Sequence, residues 1–354
     1  MALTAAQLGQ QKQQAEELLF SGPQAMGFAK GLFFGRYNAD LLNPYPKVRL
    51  DEQSRVNDKV DEVSQYAEEH IDPVAIDRNA EIPTEVVSGL GNLGVLGASA
   101  PPEYGGLGLS QLANCRIMEV IGGHDAAVGV FINAHHSIGI RALLLFGTEE
   151  QKRRWLPPLV RGDQLAAFAL TEPEAGSDAS NVQTTATPTP DGKAFVLNGT
   201  KRWITNGGIA SVLTVIARTP PPPTPPTGGG EGGGKKKEIS AFIVTPDMPG
   251  FKVLEARMAK TGIRGTATGR LAFENMVVPA ENVLGQVGKG LRIALTVLDF
   301  GRTTFGAGCA GAAKTCLRDA ATHAKKRVQF EQPLADFELV KTKIAWMAAH
   351  AFAM

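Results

Sequence analysis

The sequence has few cysteines, no long apolar run and almost no excess of charge of either sign. Three cysteines among 354 residues, widely separated at Cys115, Cys309 and Cys316, cannot build a disulfide framework or a zinc site, so we expect no bound metal. The 36 lysines and arginines nearly balance the 35 aspartates and glutamates, which argues against nucleic acid or an anionic membrane as the main partner. No run of about 18 apolar residues occurs, so we expect no transmembrane helix.

The start of the chain shows no targeting signal. The first 35 residues contain no arginine but include Glu16 and Glu17, whereas mitochondrial transit peptides are rich in arginine and poor in acidic residues. We expect residues 1–50 to form an irregular leader that ends at the turn-forming prolines Pro44 and Pro46.

Helical periodicity dominates residues 51–163, the first of three predicted domains. Thr148 and Gln151 fit a capping box, which predicts a short helix that ends before Pro157 and Pro158. Another helix is predicted from a buried stripe that recurs about once a turn, namely Leu112, Cys115, Met118 and Ile121.

Two motif-like features of this domain have simpler structural explanations. Residues 126–146 are apolar on most sides and should form a central buried helix, which carries His135 and His136. Because no suitably spaced cysteine or acidic residue lies nearby, we expect packed, hydrogen-bonded core histidines and not metal ligands. The G-x-G-x-x-G pattern at residues 89–94 follows a helix and not a strand, so we expect a helix end with tight turns and not a dinucleotide site.

Residues 164–285 change to short apolar runs bounded by turn residues, which predicts a β domain of hairpins. Asn198 and Gly199 are a typical hairpin-turn pair. Residues 219–237 consist largely of proline, glycine and lysine. We expect a flexible, exposed hairpin loop there, and a proline-rich motif that binds a partner is the alternative.

Residues 286–354 return to helical periodicity. The first predicted helix has an apolar stripe of Leu291, Ala294, Leu295 and Leu298. A second helix should begin near Pro333, with an apolar stripe of Phe337, Val340, Ile344, Met347 and Ala351. Because the pattern is still running at Met354, we expect an incomplete helical bundle with this second stripe exposed. The predicted class is α+β, with a helical domain, a barrel-like β domain and part of a helical bundle.

Two segments of the β domain carry residues suited to ligand binding. Residues 169–178 (ALTEPEAGSD) run from a strand into a turn of small residues, whose free backbone N–H groups can donate to the oxygens of a planar ligand. Residues 201–208 (KRWITNGG) offer an aromatic face at Trp203 and a hydroxyl at Thr205. Two residues apart on a strand, these side chains point the same way, so we expect both segments to face one cleft.

Together the two segments resemble the acyl-CoA dehydrogenase family, the first its signature loop and the second its W-I-[ST]-N-G-G strand. The resemblance covers nearly the whole chain. Other elements similar to the family lie at residues 101–109 (PPEYGGLGL), 147–152 (GTEEQK) and 278–285 (VPAENVLG). The leader and residues 134–139 (AHHSIG) are most similar to the very-long-chain branch.

The resemblance implies a flavin enzyme that binds FAD noncovalently between the β domain and the C-terminal helices. Trp203 would cover the flavin, and Thr205 would donate a hydrogen bond near flavin N5 or O4. Arg327–Phe330 (RVQF) would reach the FAD of a neighbouring subunit, which implies a homodimer or larger homo-oligomer. In full, the resemblance assigns FAD binding to Phe168, Leu170, Thr171, Gly176, Ser177, Trp203, Ile204, Thr205, Arg327, Gln329 and Phe330.

The resemblance also implies a reaction, a substrate and a location. Members remove two hydrogens from the α and β carbons of a fatty acyl-CoA in mitochondrial β-oxidation and pass the electrons to electron-transferring flavoprotein. Ser177, Asp299, Arg302 and Gly129 would contact a long or very long acyl-CoA, although Asn133 is larger than the branch pattern predicts. A flavin monooxygenase or oxidase on the same scaffold is an alternative.

The catalytic base is the largest departure from the family pattern. The family places a glutamate in a late E-G-T motif, or in some members in the first long C-terminal helix, where this chain has Gly301. Neither supplies a carboxylate here, so we name no catalytic residue, and a catalytically incompetent fragment that binds flavin and acyl-CoA weakly is the alternative. Smaller departures are Glu331, where the family usually has glycine, and Lys341, where glutamine is common.

Overall fold

A computed structural model of the chain describes residues 27–220 and 238–354, together with Gly9, Gln10 and Gln13. Within the predicted leader it places helix α1 (Phe28–Phe33) and a 3-10 turn (Ala39–Leu41). The described part of the leader is therefore more regular than predicted, and the rest of the leader lies outside the described residues.

Six further helices form the chain from residue 53 to residue 161. The apolar faces of the helices up to residue 132 meet in one core, in which Val63, Leu90 and Ile117 are buried. The helical residues from 138 to 160 pack against the β domain instead. The predicted helix end at residues 89–94 is confirmed, because Gly94 follows the fourth helix in the left-handed conformation, at φ 74°. The helices are α2 (Gln53–His70), α3 (Pro73–Asn79), α4 (Thr84–Asn92), α5 (Gln111–His124), α6 (Ala126–Phe146) and α7 (Glu149–Arg161).

Helix α7 begins with the predicted capping box. The Gln151 N–H donates to Thr148 Oγ1 at 3.1 Å, and the Thr148 N–H donates to Gln151 Oε1 at 3.0 Å. The predicted end before Pro157 is wrong, because the helix continues through both prolines to Arg161. Burial of Leu156 and its apolar neighbours outweighs the backbone hydrogen bonds that the prolines cannot make.

Helix α6 is the predicted central helix. By length and composition it is the one candidate membrane span among the described residues, but 83% of its most apolar window is buried inside the protein. Such burial is typical of a core helix. Residues Asn133–Ile140 in its middle are π-helical, and π segments often occur at functional sites.

His135 on the π segment joins three elements. The Ala166 N–H donates to His135 Nδ1 at 2.9 Å, and His135 Nε2–H donates to the carbonyl of Leu159 at 3.0 Å. The prediction of a hydrogen-bonded core histidine is confirmed, and the pairing fixes a neutral ring. Complete burial lowers the pKa of His135 to about 4.

Eight strands form one mixed sheet in the middle of the chain. They are β1 (Ala166–Ala169), β2 (Thr185–Pro188), β3 (Ala194–Ile204), β4 (Val212–Thr219), β5 (Glu238–Val244), β6 (Phe251–Glu255), β7 (Gly269–Pro279) and β8 (Val283–Leu284). Their hydrogen-bonded order is β6-β7-β3-β2-β4-β5-β8, and β1 lies parallel to β4. One set of buried side chains, which includes Leu213, Phe242 and Leu271, forms a core within this domain, and another, which includes Ile216 and Ile243, packs against the helices.

The predicted turn at Asn198 and Gly199 is wrong. Both residues lie inside β3, at a shift of register against β7. Gly199 has φ 154°, and an added Cβ would lie 2.7 Å from Thr184 Cα, so glycine serves a bulge and close approach instead of a hairpin turn.

A hairpin does flank the low-complexity tract. Strands β4 and β5 are antiparallel, with Thr219 opposite Glu238. The strand pairing agrees with the predicted hairpin, except that Thr219 still belongs to β4. Residues 221–237 lie outside the described residues.

Two C-terminal helices follow the sheet, α8 (Gly290–Lys326) and α9 (Glu338–Ala353), joined by a small hairpin of β9 (Val328–Gln329) and β10 (Gln332–Pro333). The buried face of α8 is rotated by about one residue from the predicted apolar stripe. Leu291, Leu295 and Leu298 are half-buried, whereas the fully packed face consists of Ile293, Ala294, Val297 and Phe300.

The expected exposure of the α9 stripe is also wrong. Ala351 is buried and the four other members are half-buried, because this side of α9 faces α8. Apolar exposure falls instead on Leu339, Trp346 and Phe352, which lie on the sides of α9 away from α8.

Helices α5 and α8 approach each other through glycines. An added Cβ on Gly122 would lie 2.5 Å from Gly308 Cα, and one on Gly311 would lie 1.8 Å from the Glu119 carbonyl oxygen. The predicted stripe on α5 is only partly buried, since Met118 and Ile121 face the N-terminal core while Leu112 and Cys115 are half-buried.

Acid sensitivity of the fold should depend on His135. Its pKa is about 4 in the folded protein and 6.5 as the ordinary value, so the unfolded chain binds more protons below pH 6.5 and stability falls as the pH falls. Between about pH 7.5 and about pH 5 the expected loss is about 2 kcal/mol. In His135→Gln, which can keep both hydrogen bonds, the free energy of unfolding measured with urea should lose that part of its pH dependence. The exposed His350→Gln is the control, and equal pH dependence in the two variants would contradict the assignment.

Candidate functional site

The first predicted segment continues directly from β1. Phe168 and Leu170 are nearly buried, and Thr171 is half-buried. The chain then turns on itself through a bridge in which Glu172 and Ala175 exchange backbone hydrogen bonds at 3.0 and 3.3 Å. The bridge makes residues 172–175 a tight loop at the edge of the sheet.

Beyond the bridge the loop presents unused backbone donors. In the described part of the chain, the N–H groups of Gly176, Ser177 and Asp178 donate to no protein acceptor, and all three residues are exposed. An added Cβ on Gly176 would meet nothing within 4 Å. The predicted set of free N–H groups is thus present, and it faces open space that can receive an anionic or carbonyl oxygen.

The second segment ends β3. Trp203 is 54% exposed, although large aromatic side chains are usually mostly buried, and the Arg202 guanidinium lies 4.5 Å from its ring centroid. The alternation argument for Trp203 and Thr205 is wrong in detail. β3 has a register shift between Lys201 and Ile204, and Trp203 has φ 58°, so a regular two-residue period does not apply there.

The residues after Trp203 differ in what they can offer a ligand. The Ile204 side chain is buried in the core of the β domain, which leaves only its backbone for the predicted contact. Thr205 is half-buried. Asn206 is buried at φ 63°, and its Nδ2 donates to the Phe131 carbonyl on α6 at 3.1 Å. The turn is therefore anchored to the central helix.

The structure brings the two segments side by side. The Arg202 N–H donates to the Thr171 carbonyl at 3.0 Å. One residue earlier, the Lys201 ammonium donates to the Leu170 carbonyl at 3.0 Å and to Glu172 Oε1 at 2.7 Å. Two stretches some thirty residues apart in sequence are thus held next to each other.

Lys201 and Glu172 form an ion pair that no sequence pattern indicated. Both side chains are buried. Burial lowers the pKa of Lys201 to about 8, with the Glu172 carboxylate opposing that shift. The pKa of Glu172 is lowered, since the Lys201 charge and several hydrogen bonds outweigh the desolvation that would raise it. The pair is therefore ionised at neutral pH.

The predicted substrate residues lie on α6 and α8. Asp299 and Arg302, one turn apart on α8, pair through Oδ1 and Nη1 at 2.9 Å near the surface. Gly129 is buried on α6. Asn133, the residue larger than expected, accepts a hydrogen bond from Thr304 Oγ1 through its Oδ1 at 2.5 Å.

Gly301 lies where α8 crosses α6. It is buried, and an added Cβ would lie 2.6 Å from Ile138 Cγ2. The position therefore lacks a side chain and also lacks space for one unless Ile138 moves.

The RVQF segment lies at the end of α8 and in the hairpin that follows it. Arg327 follows α8, Gln329 ends β9, and Phe330 is 87% exposed at the tip of the hairpin. Phe330 and Glu331 form the two-residue turn with φ 52° and 64°. Positive φ at both positions is the type that favours glycine, asparagine and aspartate, which gives a physical reason for the family's glycine at position 331.

Glycine at this turn should stabilise the chain. A non-glycine residue in the left-handed region costs about 1–2 kcal/mol, and glycine avoids this cost. Glycine also raises the conformational entropy of the unfolded chain, which offsets part of the stabilisation. Glu331→Gly should raise the free energy of unfolding by about 0.5–1 kcal/mol in urea titrations. Glu331→Ala keeps the strain and serves as control, and an equal effect of both variants would show that charge and not backbone strain is responsible.

The sequence of the chain is similar to those of known proteins over most of its length. Three domain families match the chain, described as the N-terminal (residues 53–163), middle (167–276) and C-terminal (288–354) domains of acyl-CoA dehydrogenase. The chain is similar to the very long-chain specific acyl-CoA dehydrogenase, mitochondrial, of Homo sapiens, with 39% identity over 325 residues. That match covers 92% of this chain and 48% of the human protein, so the chain spans about half the length of this relative.

Solved structures agree with the sequence comparison. The butyryl-CoA dehydrogenase of Megasphaera elsdenii is 36% identical, with a TM-score of 0.76, and the match covers 84% of this chain and 76% of that one. An acyl-CoA dehydrogenase of Bacillus anthracis complexed with FAD is 35% identical, with a TM-score of 0.77 and coverage of 87% and 50%. The predicted three-part α+β fold is confirmed by these likenesses.

Proposed function

Because the chain belongs to the acyl-CoA dehydrogenase family, we propose that it holds FAD and the thioester of a fatty acyl-CoA for α,β-dehydrogenation. The observation that carries the proposal is that the 169–178 loop and the Trp203 segment are hydrogen-bonded to each other. The first stretch offers free N–H donors at Gly176 and Ser177, and the second offers an exposed indole at Trp203.

FAD is the cofactor that fits these residues. Its isoalloxazine is a planar ring system, and Trp203 offers it a solvent-exposed aromatic face. Its phosphates and carbonyls are acceptors, and Gly176 and Ser177 offer unpaired N–H groups. Two buried polar atoms of this segment, Arg202 Nε and Asn206 Oδ1, have no protein partner among the described residues, so a ligand with donors and acceptors suits the site. When bound, FAD supplies the group that accepts the hydride leaving the β carbon of the substrate.

The finer assignments are part of the same proposal. A long or very long acyl chain is favoured by the likeness to the human relative, and Asp299 with Arg302 would contact the CoA thioester side. A mitochondrial location is supported by the name of that relative, although similar enzymes also occur in bacteria, which have no mitochondria. Electron-transferring flavoprotein as electron acceptor and a homo-oligomer completed through Arg327–Phe330 follow from the family resemblance.

Dehydrogenation requires a base that accepts the proton from the α carbon. Within this chain, position 301 supplies no carboxylate, and Ile138 occupies the space that one would need. The chain alone is therefore proposed to bind the ligands without turning them over, and its own residues bind, orient and exclude water.

Binding of FAD should depend on Trp203. Titration of the chain with FAD, followed by flavin fluorescence, should give a saturable site, and Trp203→Ala should raise the dissociation constant by about tenfold or more, since one stacking contact contributes about 1.4 kcal/mol. Trp346→Ala removes another exposed tryptophan, 64% exposed on α9, and should leave the constant unchanged. Equal losses in both variants, or no saturable binding, would contradict the proposed site.

A base placed at position 301 should create activity. Gly301→Glu with Ile138→Ala provides a carboxylate and the space for it. After FAD is added, anaerobic mixing with palmitoyl-CoA should bleach the visible flavin absorbance at least about 10²-fold faster than in the matched Gly301→Gln, Ile138→Ala variant. Equal rates in the two double variants would show that this position does not reach the α proton.

A further inference from the structure

We propose that Lys201 and Glu172 are positioning residues, which hold the backbone of the 169–178 loop in the shape that receives the flavin. The inference rests on the proposed function and extends it to two residues that touch no ligand. The argument depends on where the Lys201 ammonium donates and on what the Glu172 carboxylate accepts.

The Lys201 ammonium has three donors and three protein acceptors. Nζ lies 2.7 Å from Glu172 Oε1, 2.6 Å from the Ile216 carbonyl and 3.0 Å from the Leu170 carbonyl. Its side chain is fully buried. Every N–H of the ammonium is thus used, and the group connects β3, β4 and the start of the loop.

The Glu172 carboxylate completes the connection from the other side. Oε1 also accepts from the Thr184 N–H at 3.0 Å, and Oε2 accepts from the Gln183 N–H at 2.5 Å. Residues 183 and 184 directly precede β2. The carboxylate therefore fixes both ends of the segment that leaves the sheet at residue 170 and returns to it at residue 185.

One peptide group transmits this anchoring to the ligand side. The Leu170 carbonyl and the Thr171 N–H belong to the same planar unit and point in opposite directions. Because Lys201 fixes the carbonyl inward, the Thr171 N–H must point away from Lys201, and it donates to no protein acceptor in the described part of the chain. The ammonium thereby sets the direction of a donor next to the predicted flavin contacts.

A buried ion pair is a poor device for stability alone. Two charges lose their hydration on burial, and apolar replacements of similar size are often equally stable or more so. A pair that instead fixes the directions of two carbonyl and two amide groups has a use that apolar side chains cannot provide. Stability and flavin affinity should therefore respond differently when both charges are removed.

The test compares three variants by FAD titration and by thermal unfolding of the FAD-free protein. Lys201→Met leaves a buried carboxylate unpaired and should lower both stability and affinity. Lys201→Met with Glu172→Met removes the unpaired charge but leaves the backbone groups without these partners, so its unfolding temperature should recover in part while its dissociation constant for FAD stays at least about tenfold raised. Lys252→Met breaks a surface pair with Glu274 and is the control, with neither property changed.

Amide hydrogen exchange of residues 170–178 gives a readout that does not depend on FAD. We expect faster exchange there in the double variant than in the unchanged chain. Recovery of affinity together with stability in the double variant would overturn the positioning role while leaving the proposed function intact. Failure of the unchanged chain to bind FAD would overturn the proposed function and this inference with it.

Discussion

A single buried ammonium group, that of Lys201, connects the 169–178 loop to β3 and so joins the two segments that are proposed to bind FAD. Removing Lys201 from water costs free energy, and the cost is offset only because three acceptors surround Nζ, one of them the Glu172 carboxylate. Those acceptors lie on the 169–178 loop and on β4, so the requirement to satisfy one charge brings the loop against β3. The segments that carry the exposed Trp203 and the free N–H groups of Gly176 and Ser177 are thereby held next to each other.

Close backbone approach to α6 supplies the second constraint. Asn206 donates to the Phe131 carbonyl, the Ala166 N–H donates to His135, and an added Cβ on Gly139 would lie 2.6 Å from Ala166 Cβ. Both segments proposed to bind FAD are thus anchored to the same helix, one through β1 and one through the turn after β3. Helix α6 also contacts α8, at Gly301. The sheet, the central helix and the C-terminal helix therefore position the site as one packed unit.

Much of this arrangement could be predicted from the sequence, and the failures share a cause. The capping box, the central helix and the core histidine depend on local patterns and were found. Local rules failed where packing overrides them, at Pro157 inside α7 and at Gly199 inside β3. The Lys201–Glu172 pair could not be predicted, because the two residues are 29 positions apart in the sequence. The residues that flank a lysine in the sequence also do not show whether its side chain is buried. Spacing alone also misplaced the exposed face of α9, since α8 covers the stripe that looked bare.

A crystal structure of the chain with FAD would test the central claim most directly. The account predicts the isoalloxazine ring against residues 168–171, with the Trp203 indole in contact with it and the Lys201–Glu172 pair unbroken behind the loop. Ordered FAD elsewhere on the chain, or bound with Trp203 and the Ser177 loop on opposite sides of the domain, would contradict it.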